Sequence, residues 1–99
     1  MAKGYWIAHV EVTNPERYKD YVKANAIAFS KFGARFIVRG GAMVSAKTGD
    51  TDNRRHVVIE FDSFETAMAC LHSPEYQAAA KIRDEASNAE LMIVEGYDG

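Results

Sequence analysis

His9, Arg39 and Glu60 form the first group whose types suggest chemistry. A histidine moves a proton near neutral pH, and an arginine holds a carboxylate or enolate oxygen. Strand alternation predicts that all three lie on one sheet face, on three different strands, where they could meet a ligand between two copies of the chain. The competing structural reading is an Arg39–Glu60 ion pair at an interface with His9 packed beside it. Tyr18, His72, Tyr76 and Arg83 form a second group on helices or at a helix kink, placed to line a cleft between helices and sheet. Tyrosine hydroxyls and a guanidinium there would orient a polar oxygen on an otherwise apolar molecule. Against this, Tyr18 and Tyr76 hold stripe positions where core tyrosines with a tethered hydroxyl are common.

Other reactive residue types read as structural. Ser73 precedes Pro74 and Glu75, which makes it a helix cap in preference to a nucleophile. Cys70 is the single cysteine and sits in an apolar helical stretch, so it reads as a small buried hydrophobe, with no disulfide within one chain. His9, His56 and His72 are far apart and none has a second ligand at zinc-site spacing, so no metal or other cofactor is expected. Gly40 and Gly41 lack the strand-to-helix context of a phosphate loop and indicate a bend or bulge instead.

The elements that must position these residues follow from patterning. Gly4–Val12 alternates, with Tyr5, Ile7, His9 and Glu11 opposite the apolar set Trp6, Ala8, Val10 and Val12, and reads as a strand. Asn14-Pro15-Glu16 supplies a capping oxygen, a proline at the first helical position and an acid near the positive end. The helix it starts runs to about Phe32, with Tyr18, Tyr21, Val22, Ala26 or Ile27, and Phe29 as its apolar stripe and Gly33 as its stop. Ala34–Arg39 is a second strand, with Phe36 and Val38 on one side and Arg35, Ile37 and Arg39 on the other. Met43–Ala46 could extend it beyond the glycines, before a polar, mobile hairpin tip over 47–53. Arg55–Phe61 is the third strand, Ser63 caps a short helix to about Leu71, and Ser73 caps a second piece to about Ala86. Ala89–Glu95 is the last strand.

The order is βαββαβ, an α+β ferredoxin-like sandwich. Right-handed crossovers put the first and third strands in the middle of a four-stranded antiparallel sheet with the helices on one face. The other face, carrying Ile7, Ile37, Val58, Met92 and Val94, calls for a cover, and a second copy is the simplest one. At 99 residues, 47% hydrophobic and 26% charged, the chain is expected to fold as one domain over 1–99. A net charge of -2 with intermixed signs argues against nucleic acid as a partner. No apolar run is long enough to span a bilayer, and a cytoplasmic protein is expected.

Taken together and in order, GYWIAHVEV, NPERYKDYV, FGARFIVRGG, HVVIEF, SPEYQAA and IVEG resemble the bacterial domain-of-unknown-function family numbered 1330, over nearly the whole chain. The resemblance implies membership of the dimeric α+β barrel group, in which two ferredoxin-like subunits pair sheet to sheet. Wider relatives in that group include cofactor-independent monooxygenases, isomerases and haem-handling enzymes, and fold does not choose among them. The family pattern implies an aromatic pair just ahead of SPEY, where this chain carries Cys70 and Leu71. The sequence thus points to a homodimer that binds or converts a small organic molecule at the sheet face or between sheet and helices. The alternative is a purely structural or regulatory dimer without catalytic activity.

Overall fold

The structure, a computed structural model, describes residues 2–99. Its elements run β1 (Gly4–Val12), α1 (Pro15–Lys31), β2 (Arg35–Arg39), β3 (Arg55–Phe61), α2 (Phe64–His72), α3 (Pro74–Ala86) and β4 (Ser87–Glu95). All strand pairs are antiparallel and the order is β2-β3-β1-β4, so β1 and β3 are central as the crossover argument requires. This is the ferredoxin-like α+β arrangement, with the second helix of the pattern broken into α2 and α3. No helix among the described residues is long and apolar enough to cross a membrane.

The capping residues act as their types dictate. Asn14 accepts from the Arg17 backbone N–H with Pro15 opening α1, and Ser63 accepts from the N–H of Thr66 at the start of α2. Ser73 closes α2 and opens α3 at once: its Oγ donates to the Cys70 carbonyl at 2.7 Å and accepts from the Tyr76 N–H at 3.1 Å. A single residue therefore separates the two helices.

Register fixes the two faces of the sheet. Toward the helices lie the rows Phe36-Ile59-Trp6-Ile93 and Arg39-Val57-Ala8-Leu91, followed by Arg55-Val10-Ala89. Trp6 is the centre of the core, 1% exposed, with Phe29 and Tyr76 edge-on at 5.2 and 4.7 Å and Phe61 tilted at 5.4 Å. Its indole N–H donates to the Ala67 carbonyl at 2.9 Å, which satisfies the one polar atom the ring buries. Gly4 begins β1 directly beneath the β3–α2 link, where a Cβ would run into the backbone of Ser63 and Phe64.

Three expectations are corrected. The β2 pairing slips between Phe36 and Val38, a bulge centred on Ile37. Beyond it the alternation inverts: Val38 faces the open side and Arg39 faces the helices, the reverse of simple alternation. Met43–Ala46 does not extend the strand, since 41–54 contains no strand and is folded by the hydrogen bonds Ser45 N–H to Asp50 O and Gly49 N–H to Ser45 O. On α1 both Ala26 and Ile27 are exposed, and the buried position of that turn belongs to Asn25.

The opposite sheet face carries the row Val38-Val58-Ile7-Met92 across all four strands, with Val94 and Ile37 beside it. Val38, Ile37, Met92 and Val94 are all more than two-fifths exposed.

Candidate functional site

A cleft opens between the helices and the end of the sheet where β1 and β2 finish and β3 and β4 begin. Its floor is Trp6, Ala8, Val10, Val57 and Leu91 from the strands. On α1, Tyr18, Tyr21, Asn25 and Phe29 follow at steps of three and four and so share the face that looks down on the sheet. On α3, Tyr76 and Arg83 stand two turns apart on one face and close the other wall. Arg39 and Arg55 reach in from β2 and β3. The enclosed space is about 50 Å³ and continues to solvent at the mouth, against the roughly 10–15 Å³ that one water requires.

The polar groups of the cleft are organised. The Tyr21 and Tyr76 hydroxyls are 2.8 Å apart, and Arg83 Nη1 donates to Tyr76 Oη at 3.0 Å. Arg83 also donates to Asp84 from Nε and Nη2, at 3.3 and 3.1 Å. Burial, reinforced by the neighbouring Tyr76, pushes the Tyr21 hydroxyl far above the usual tyrosine range, and burial also raises Tyr18. Both therefore remain hydroxyl donors. Arg39 stacks its guanidinium 4.0 Å over the Phe36 ring. Arg55 lies 5.8 Å from the Tyr18 ring centroid, and its Nε is enclosed without a hydrogen-bond partner. Among the described residues no aspartate or glutamate lines the cleft.

Tyr18, Tyr76 and Arg83 of the second predicted group thus meet in one cleft, and Arg39 joins them from the first group because the bulge turns it to this side. His72 does not join them: it is exposed at the last residue of α2 and lines no part of the cleft. His9 and Glu60 face the open side and are two rows apart, separated by the Ile7–Val58 pair. An Arg39–Glu60 pair does not form. Glu60 instead accepts from Arg35 Nε at 3.0 Å and from Tyr5 Oη at 3.3 Å. The predicted first group is therefore dispersed over two faces.

Tyr21, Asn25 and Arg55 are site residues that the sequence reading passed over. A signal existed for each of the last two. Asn25 is a polar residue four positions from both Tyr21 and Phe29, inside the stripe, and Arg55 falls on the Val57–Ile59 side of β3 by plain alternation.

On the open face the His9 and His56 Nδ1 atoms are 2.8 Å apart, and His56 Nε2 contacts Asp52 Oδ1 at 3.1 Å. The Arg54 backbone N–H, followed by its side chain and His56, holds the Asp52 carboxyl below the usual range. Beside His9 is a wider dish of about 230 Å³, lined by Glu11, Arg54, Asn88, Ala89 and Glu90, all exposed. Among the described residues no three His, Cys, Asp or Glu side chains gather as a metal-ion site.

Solved structures share this fold at low identity. A protein of unknown function from Rhodopseudomonas palustris is 16% identical with a TM-score of 0.74, over 99% of this chain and 85% of that one. SnoaB, a cofactor-independent oxygenase from Streptomyces nogalater, is 15% identical with a TM-score of 0.66, over 100% and 97%. A dimeric ferredoxin-like protein of unknown function from Thermobifida fusca is 14% identical with a TM-score of 0.61, over 95% and 89%. At such identities the likeness establishes the fold alone. No curated protein matches the sequence. The family profile described as a domain of unknown function, DUF1330, matches residues 3–97, and the chain belongs to that family.

Proposed function

We propose that this single-domain chain binds, and in the manner of an enzyme orients for reaction, a small and largely apolar organic molecule in the cleft between sheet and helices. The observation that carries this reading is the Arg83–Tyr76–Tyr21 hydrogen-bonded series set into the wall of a mostly apolar cavity. One of the two hydroxyl protons is used between the tyrosines, so the series offers one fixed donor, and a fixed donor in a low-dielectric space stabilises charge developing on a substrate oxygen without reorganising. Side chains alone supply that chemistry; a fold neighbour, SnoaB, is described as working without a cofactor. A fragment titration followed by amide NMR tests the reading. Neutral aromatic fragments are expected to shift the signals of Ala8, Val10, Ala89 and Leu91 together. Shifts confined to the open sheet face, or none with any fragment, would overturn it.

The working unit we propose is a homodimer paired through the open sheet face, supported by the apolar row Val38-Val58-Ile7-Met92, half-buried at its centre and exposed at Val38 and Met92. Apolar surface running across four strands is what a second copy would cover. Replacing Val58 and Met92 together by aspartate should convert a dimer into a monomer in sedimentation velocity. An unchanged sedimentation coefficient would refute this pairing.

A further inference from the structure

We infer that the ligand of the cleft is an organic carboxylic acid and that Arg55 is the residue that selects it. The inference rests on the proposed use of the cleft and adds the chemical class of its occupant.

Three arginines line the cleft, but they are not equivalent. Arg83 is engaged by Tyr76 and Asp84, and Arg39, whose stack on Phe36 uses no N–H, is exposed to solvent. Arg55 is held in place by contacts that use none of its N–H groups. Its backbone opens the central strand β3 in register with Val10, the Tyr18 ring faces its guanidinium on one side, and Gly40 abuts it on another. A Cβ on Gly40 would come within 3.4 Å of the guanidinium carbon and Nη2, and at φ 67° that position is one a side chain rarely adopts. Gly40 is itself fixed by its N–H to the His56 carbonyl at 3.0 Å. The guanidinium is therefore positioned by ring and backbone, with its donors left over.

A buried N–H without an acceptor costs more than the bond it would make is worth, and the cost is larger on a charged group. Arg55 Nε is in that condition, and no carboxylate among the described residues lines the space beside it. The missing partner is an acceptor that enters with the ligand. A planar carboxylate fits a guanidinium edge with two parallel hydrogen bonds. Among the described residues Arg55 Nε is the one enclosed guanidinium donor left without a partner, since Arg83 is bonded to Asp84 and Arg39 is exposed to solvent, and a single enclosed cation balances a monoanion better than a phosphate dianion. The apolar body of the acid would lie along Val10, Val22, Phe36 and Leu91, with Tyr18 offering a hydroxyl near the mouth.

The test is calorimetric titration of the full chain with benzoate, 3-phenylpropionate and hexanoate, each beside its neutral primary amide, and with phenyl phosphate. At least one acid is expected to bind about tenfold tighter than its amide, the difference between a charge-assisted and an ordinary hydrogen-bonded contact. Arg55→Gln should erase that preference and Arg55→Lys should keep part of it, with both variants checked for a cooperative thermal transition. Amides that bind wild type as well as the acids would overturn the carboxylate assignment while leaving the cleft as the binding site. Retention of the acid preference in Arg55→Gln would remove Arg55 from the role, and tighter binding of phenyl phosphate would replace the ligand class. Binding of neither acids nor amides would overturn both the inference and the site on which it rests. The comparison of acid with amide in wild type needs no variant, so a misfolded substitution cannot shield the idea.

Discussion

Removing both hydroxyls of the Tyr21–Tyr76 pair should cost little more than removing that of Tyr76 alone. In Tyr76→Phe the ring still packs against Trp6 at 4.7 Å and Phe29 at 5.9 Å, so no cavity larger than one oxygen is made. What changes is that the Tyr21 hydroxyl, on a residue 8% exposed, loses its partner at 2.8 Å and keeps only the Asn25 side chain, while Arg83 keeps Asp84. A buried hydroxyl stripped of its short, well-made partner costs about 1–3 kcal/mol. Tyr21→Phe leaves Tyr76 still bonded to Arg83, so its cost should be nearer 1 kcal/mol, the ordinary worth of one hydrogen bond. The double variant deletes both hydroxyls and orphans neither, so its cost should fall close to the larger single cost, giving a coupling of about 1 kcal/mol. Urea unfolding followed by Trp6 emission reads this directly, because Trp6 is the only tryptophan and lies in the packing around Tyr76. With a slope of about 1 kcal/mol/M, the midpoint of Tyr76→Phe should drop by about 1–3 M. Costs that add to within about 0.3 kcal/mol would show that the two hydroxyls are not coupled, and the wall of the cleft would then not be the organised donor series described above.

Two further outcomes follow from burial and close approach. Cys70 is fully buried and burial pushes its thiol up to about 12, so alkylation by iodoacetamide at pH 8 should track unfolding. With roughly one thiol in ten thousand ionised at that pH, modification at the rate of a free cysteine would contradict the buried placement. Gly4→Ala forces a methyl into the backbone of Ser63 and Phe64, so the β3–α2 link must shift; a loss of about 1–3 kcal/mol is expected in the same urea assay. An unchanged midpoint would mean that the link is not packed as described.

The fold was legible where a local pattern and the tertiary pairing agree. β1 and β3 alternate without interruption, and Asn14-Pro15-Glu16 and Ser73-Pro74-Glu75 mark helix starts by chemistry that needs no long-range partner. The candidate site was half legible for the same reason. Tyr18, Tyr76 and Arg83 sit on helices whose faces follow from spacing, and they converge as expected. Arg39 was misplaced because alternation counts residues along one strand, whereas a bulge is a property of two: Ile37 is extra only in relation to β3. Asn25 was passed over because a stripe drawn through apolar residues steps past a polar one, although that residue is buried in the cleft wall. His72 illustrates the converse, since a histidine at a kink attracts notice by type while its place at the end of α2 turns it to solvent.

The one-residue junction at Ser73 bears on which changes in chain length this protein could tolerate. An insertion or deletion there would rotate α3 by about 100° relative to α2, because Ser73 Oγ serves the last turn of one helix and the first of the next. Tyr76 and Arg83 would swing off the cleft together, and the Trp6 packing would go with them. The stretch 41–54 joins two strands already paired to each other and lines the cleft through none of its residues. Homologous chains that keep this cleft should therefore vary in length between β2 and β3 and hold the spacing from Cys70 to Arg83 constant.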